Sequence, residues 1–234
     1  YFAVLPDESA VDGPAELWKV GADRAPGDAR EQAGWIPISS MGEVDRIDLE
    51  DVELGTLRAG CLWRWNASQP LDICVGLSQD SVQRARAYAV SAQQDGYETR
   101  KRHAEAIWKE SFGRIATEGG SEETRYQFYS SWLHASRKPV LGEASNFLWR
   151  DGPRLWTDVA TMWDQSKTLI PFLATFYPEE ALSLARSLHR TGEHYGYFPA
   201  AVVSASNQKT FERQSRNLAV LIICEIFHHV RTRG

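Results

Sequence analysis

The sequence predicts a strand-rich part followed by a helical part, and three observations set that class. Up to about residue 78, apolar residues alternate with polar ones, which is the period of a half-buried strand. From residue 79 onward they recur at three and four residues, the period of an amphipathic helix. The turn-forming run Asn66-Ala67-Ser68-Gln69-Pro70 separates the last two alternating stretches, just ahead of the change.

Each element has its own signal. The opening run Tyr1-Phe2-Ala3-Val4-Leu5 is apolar and strand-like, as are Leu17-Trp18-Lys19-Val20 and Trp35-Ile36-Pro37-Ile38. In the run 57 to 65, Leu57, Ala59, Cys61, Trp63 and Trp65 share one face while Arg58 and Arg64 take the other. Leu71, Ile73, Val75 and Leu77 repeat the alternation, so both runs read as half-buried antiparallel strands. Asp80 or Ser81 can cap a first helix bearing Val82, Ala85, Ala89 and Ala92. The second carries Ala104, Ile107, Trp108, Ser111, Phe112 and Ile115 on one stripe. Ser121-Glu122-Glu123 starts a third, presenting Tyr126, Tyr129, Leu133 and Ser136. A fourth enters near Trp163, where Pro171 implies a kink or a break. Pro178-Glu179-Glu180 opens a fifth that buries Ala181, Leu184, Ala185 and Leu188 and ends at Gly192. A sixth runs from about Phe211 to Val230 and is apolar nearly all round, which predicts burial on several sides.

Composition excludes several classes. With 43% apolar and 24% charged residues in a chain of 234, a sizeable core can be buried. No run approaches the roughly 18 to 20 apolar residues of a membrane span. A net charge of −5 with scattered signs argues against a nucleic-acid partner, and Arg100-Lys101-Arg102 followed by Glu105 reads as a solvated helix face. Cys61 and Cys74 fall on adjacent predicted strands and can pair or stay reduced, while Cys224 reads as a small core residue. Asn66-Ala67-Ser68 matches a glycosylation sequon, which has meaning only in a eukaryotic secretory setting. The abrupt start, without an initiator Met or a signal-peptide pattern, and the equally abrupt end lead to the expectation of a piece of a longer protein.

Chemistry concentrates between Phe128 and Pro171. Phe128-Tyr129 on a helix is followed by a loop rich in Gly, Pro and Trp, then by Met162-Trp163-Asp164 leading into the next helix. An aromatic ring beside a carboxylate suits a sugar subsite, since the ring packs a pyranose face and the carboxylate accepts its hydroxyl protons. On spacing alone, a core Trp beside a helix-capping Asp explains the pair equally simply and is the preferred reading. His103, His134 and His189 are isolated, and His228-His229 point in different directions on a helix, so no metal spacing exists among the histidines. His194, just ahead of Gly196-Tyr197, is a candidate for lining a pocket; Glu143 and Asp151 read as loop residues with local hydrogen bonds. Neither a nucleophile elbow nor a Gly-rich phosphate cradle is present.

A wider series shifts the balance. In order come Val75-Gly76-Leu77-Ser78, Ala106-Ile107-Trp108, Phe128-Tyr129, Trp163-Asp164, Pro178-Glu179-Glu180, Gly196-Tyr197-Phe198-Pro199 and Asn217-Leu218-Ala219. Over roughly residues 60 to 230 this series resembles the calcium-dependent exo-α-mannosidases of glycoside hydrolase family 92. The resemblance implies β then α in a specific form: part of an antiparallel β-sandwich over 1–78, a helical linker over 79–100, and over 101–234 the first part of an incomplete (α/α)6 toroid. It also implies an inverting exo-α-mannosidase of α-1,2 type acting on mannose-containing glycans. Inversion needs a carboxylic acid and a carboxylate base roughly 6.5 to 9.5 Å apart, and in the family these groups and the calcium ligands lie in later parts of the toroid.

By that resemblance Asp164 bonds hydroxyls of the terminal sugar, Trp163 shapes the pocket, and His194 stands near it. The acid-base pair and the ligands for calcium, a hard cation suited to oxygen donors, are then expected beyond residue 234, in the missing C-terminal half. An extracellular or periplasmic location follows from the family's usual substrates. Several positions depart from the family pattern. Gln165-Ser166-Lys167 replaces Thr, an aromatic and Arg; Ala200-Ala201 replaces Arg and Trp; Asn217 stands where a carboxylate is usual. Lys keeps the charge of Arg without its planar fork. Together these changes imply altered specificity, or a carbohydrate-binding or structural homologue that has lost the chemistry. A third reading is an (α/α)6 glycosidase of another family.

Overall fold

The computed structural model describes residues 2–6, 9, 11, 16–20, 58–62, 64–66, 68, 70–159, 162–202 and 217–233. These form two compact units. One holds the described residues up to Leu77 together with Ser81–Tyr97; the other holds Ser78–Asp80 and the described residues from Glu98 onward. The described residues are mostly helical, with three two-stranded antiparallel ladders. A strand-rich beginning and a helical continuation are therefore present, as the change of period predicts.

In the first unit, strand β1 (Phe2–Pro6) pairs with β4 (Ile73–Leu77), and β2 (Glu16–Val20) pairs with β3 (Arg58–Leu62). The segment 35–38 lies outside the described residues. Strands β3 and β4 thus take partners far back in the chain instead of each other. Cys61 and Cys74 are accordingly not on neighbouring strands, and Cys74 carries a free thiol. The face of β4 is also the reverse of the expected one. Ile73, Val75 and Leu77 are 48%, 54% and 69% exposed, while Gly76 on the opposite face is buried. The cause is helix α1 (Val82–Asp95), which packs on the side carrying Cys74 and Gly76. A side chain at Gly76 would run into the Ala85 carbonyl and the Ala89 backbone nitrogen, so only glycine lets this helix lie so close. Ala85 and Ala89 are fully buried for the same reason, and Ser81, one of the two expected caps, accepts from Arg84 N at 3.2 Å.

The helices of the second unit start with α2 (Tyr97–Phe112), which belongs to it from Glu98, and α3 (Glu122–Ala135). The predicted stripe on α2 is largely solvent-facing: Ala104, Ile107 and Trp108 are exposed, and packing begins only at Ser111 and Phe112. On α3 the inward residue is Trp132, one position away from the expected Leu133, while Tyr126 is exposed. An aromatic cluster explains the choice. Trp132 lies edge-on to Phe112, Phe172 and Tyr177 at centroid distances of 5.6, 5.6 and 6.3 Å, joining the end of α2 to α3 and to α5 (Leu169–Phe176).

The core of this unit lies between α5, α6 (Pro178–Tyr195) and α7 (Leu218–Arg233), which pack on one another. Ala181, Leu184, Ala185 and Leu188 are buried at the predicted positions, with Pro178 at the first turn ahead of Glu179 and Glu180. Gly192 does not end α6. It is a buried interior residue where a Cβ would meet the Phe198 ring at 2.7 Å, and the helix continues to Tyr195 before Gly196 stops it at φ 73°. Helix α7 buries Ala219, Ile222 and Ile226 on one stripe, whereas Leu221, Cys224 and Phe227 are exposed, so its burial is one-sided and Cys224 is not a core residue.

Candidate functional site

The chain reaches Trp163 and Asp164 through a tightly organised loop. Strands β5 (Val140–Leu141) and β6 (Trp156–Thr157) pair in register Val140 to Thr157 and Leu141 to Trp156. Between them, Gly142 N donates to the Leu155 carbonyl at 2.7 Å and Leu155 N returns to the Glu143 carbonyl at 3.1 Å. Asn146, 1% exposed, fills the loop and uses its whole amide. Its Nδ2 donates to the Glu143 and Ala144 carbonyls, and its Oδ1 accepts from Leu148 N and Trp149 N. Trp149 Nε1 donates to the Pro153 carbonyl at 2.8 Å. The Gly, Pro and Trp content that marks a loop in the sequence therefore builds a fixed one.

Beyond this loop the strand is tied to the core. Trp156 N donates to Ser187 Oγ at 2.8 Å and its Nε1 to Ser183 Oγ at 3.1 Å, hanging β6 on α6. Asp158 then takes a positive φ of 56°, a conformation Asp tolerates better than most residues, and redirects the chain. Val159 and Val202 next exchange backbone hydrogen bonds at 3.0 Å in both directions. This bridge brings the approach to Trp163-Asp164 beside the segment leaving Gly196-Tyr197-Phe198-Pro199.

The short helix α4 (Met162–Gln165) follows. Met162 is its fully buried residue, Trp163 is half-buried and Asp164 is exposed. The Asp164 carbonyl accepts from Thr168 Oγ1 at 2.8 Å, whereas its carboxylate has no hydrogen-bond or ion-pair partner among the described residues. The simple alternative of a core Trp beside a capping Asp does not describe this arrangement, because the core residue is Met162 and Asp164 lies within the helix. The break predicted at Pro171 falls at 166–168, and Pro171 sits in the first turn of α5, where a missing N–H costs no helical bond.

His194 is exposed in the last turn of α6, edge-on to Tyr195 with centroids 4.9 Å apart. Burial first, and the neighbouring Tyr197 second, raise the Tyr195 hydroxyl above its usual range. No hydrogen bond, ion pair or ring contact joins His194 to Trp163 or Asp164 among the described residues.

Other sequence departures find local reasons. Asn217 adopts φ 73° at the head of α7, a left-handed conformation that Asn enters more readily than most residues, and its carbonyl accepts from Val220 N at 3.1 Å. Ala200 and Ala201 are buried beside Val202, and Lys167 is exposed. Gln165 Oε1 is a buried acceptor without a hydrogen-bond partner among the described residues.

Glu143 is not the local loop residue the sequence implies. Its Oε2 accepts from Ser78 Oγ and from Gln79 N, both at 2.6 Å, across more than sixty positions of chain. Nearby, Asp80 Oδ1 accepts from Ser145 Oγ at 2.6 Å and from Arg150 Nη1 at 2.8 Å. The only sequence signal was Ser78, the last residue of the Val75-to-Ser78 motif. Its acidic partner could not be found from spacing.

Residues 84–229, which span most of these helices and the bridged loops, match the catalytic domain of a class of glycoside hydrolases. The matching sequence model is that of the glycosyl hydrolase family 92 catalytic domain, and the chain belongs to that family. No curated protein matches the chain.

Proposed function

We propose that this chain is the first part of the catalytic region of an inverting, calcium-dependent exo-α-mannosidase of α-1,2 type, and that it forms one wall of the subsite for a terminal mannose. The family membership supports the reaction class, and the free carboxylate of Asp164 beside the half-buried Trp163 is the observation that supports the site. In this reading the Asp164 carboxylate accepts two sugar hydroxyls in charge-assisted bonds worth about 1.5 to 3 kcal/mol each. Trp163 backs the carboxylate with an apolar surface, and His194 borders the approach. The bridge between Val159 and Val202 holds the two contributing segments together.

Among the described residues no group of three or more His, Cys, Asp or Glu is arranged to hold a metal ion. The calcium ligands and the acid-base pair are proposed for residues beyond 234. Mannose-containing glycans are the proposed partners. Among the described residues no helix is long and apolar enough to cross a membrane.

The test is Asp164→Ala in the full-length protein, assayed on mannobiosides. Loss of the two bonds predicts a fall in kcat/KM of at least about a hundredfold. Near-normal turnover would remove Asp164 from the site, and an inactive parent that still binds mannosides would favour the homologue without chemistry.

A further inference from the structure

We propose that Glu143 is a positioning residue for the sugar subsite, acting as the latch that fixes the loop from which the Trp163-Asp164 segment is launched. The inference rests on the mannosidase reading for its catalytic consequence, although the latch itself stands on geometry alone. Glu143 engages the surrounding chain with its side chain and with both of its backbone groups. The carboxylate accepts from Ser78 Oγ and Gln79 N at 2.6 Å each. Its N–H donates to Gln79 Oε1 at 3.2 Å. Its carbonyl accepts from Leu155 N at 3.1 Å and from Asn146 Nδ2 at 3.1 Å. The side chain of Glu143 thus reaches 78–79 while its carbonyl holds Leu155, and Gly142 beside it packs on Gln79 and also bonds the Leu155 carbonyl.

The described parts of the route to the subsite, 155–159 and 162–164, are held at several points. Leu155, bonded to Glu143, precedes Trp156 and Thr157 of β6; Val159 is bridged to Val202, and Met162 is fully buried immediately before Trp163. A shift at 143 therefore passes along paired backbone from Leu155 as far as Val159, and the buried Met162 anchors the start of α4. Asp80 secures the far side of the same loop through Ser145 and Arg150. Bonds of a carboxylate to a hydroxyl and an amide are charge-assisted, which favours an acid over a neutral residue at 143.

The experiment compares Glu143→Ala, Glu143→Gln and wild type in the full-length protein by two readouts. Hydrogen exchange should rise in the peptide covering 155–168 for Glu143→Ala, with α1 unchanged and the unfolding midpoint close to wild type. On mannobiosides, kcat/KM should fall about tenfold, carried mainly by KM, because misplacement from a distance weakens binding geometry; Glu143→Gln, which keeps an acceptor, should recover most of it. Unchanged exchange at 155–168, or equal losses in the Ala and Gln variants, would overturn the latch. Should wild type prove inactive, the mannosidase reading fails while the exchange result still decides the latch. If Glu143→Ala does not fold, Ser78→Ala removes one donor and is read in the same way.

Discussion

At Gly76 a single missing atom decides how a helix meets a strand. The Ala85 carbonyl and the Ala89 nitrogen occupy the space a side chain would need, and both belong to backbone that cannot turn aside. Gly76→Val should therefore destabilise the chain by about 1–3 kcal/mol, measured as a shift in denaturation midpoint with unchanged cooperativity. A normal midpoint would mean that α1 is not held where it is described. Legibility at this scale was uneven. Trp163 and Asp164 could be singled out because an aromatic-acid pair is a local pattern. Glu143 could not, because its meaning comes from Ser78 and Gln79, and contacts across sixty positions leave no periodic trace. Trp132 and Leu133 illustrate the same limit: both fit a helical stripe, and only the rings of Phe112, Phe172 and Tyr177 select the indole.

Helices with strong local signals formed where the sequence places them. Ser121 caps α3, accepting from Thr124 N at 3.1 Å, with Glu122 and Glu123 in the first turn. Ser121→Ala should cost about 1 kcal/mol, seen as a lower denaturation midpoint; recovery by Ser121→Asp would tie the loss to the cap. Helix α6 matched its predicted inner face because its stripe is clean, but its end was misread. Gly192 resembles a stop signal, whereas its actual use is to admit the Phe198 ring, and the left-handed stop is Gly196. Helix α2 gives the opposite lesson, since an apolar stripe predicts a partner without supplying one, and Ala104, Ile107 and Trp108 remain exposed. The strands failed in pairing for a related reason: alternation gives a face, not a neighbour, and the small residues Cys74 and Gly76 outweighed the larger ones opposite.

For the molecule as a whole, membership of family 92 places the helical unit in a glycoside hydrolase, and the proposed mannosidase chemistry includes dependence on calcium. Chelation of the full-length protein should abolish mannose release, and added calcium should restore it; release that persists in excess chelator would separate this chain from calcium-dependent catalysis. The change from strands to helices was readable throughout, because it depends only on period. The closed shape implied by resemblance was not, because closure is a property of partners and not of any one stripe. The paired bonds of Val159 and Val202 carry a final consequence. They use peptide groups only, so the pairing itself is indifferent to side-chain identity, but both valines are buried in the core and an insertion or deletion in one strand of the bridge must be matched in the other. Relatives of this protein should keep both the length of chain around 159 and 202 and an apolar side chain of similar size at each.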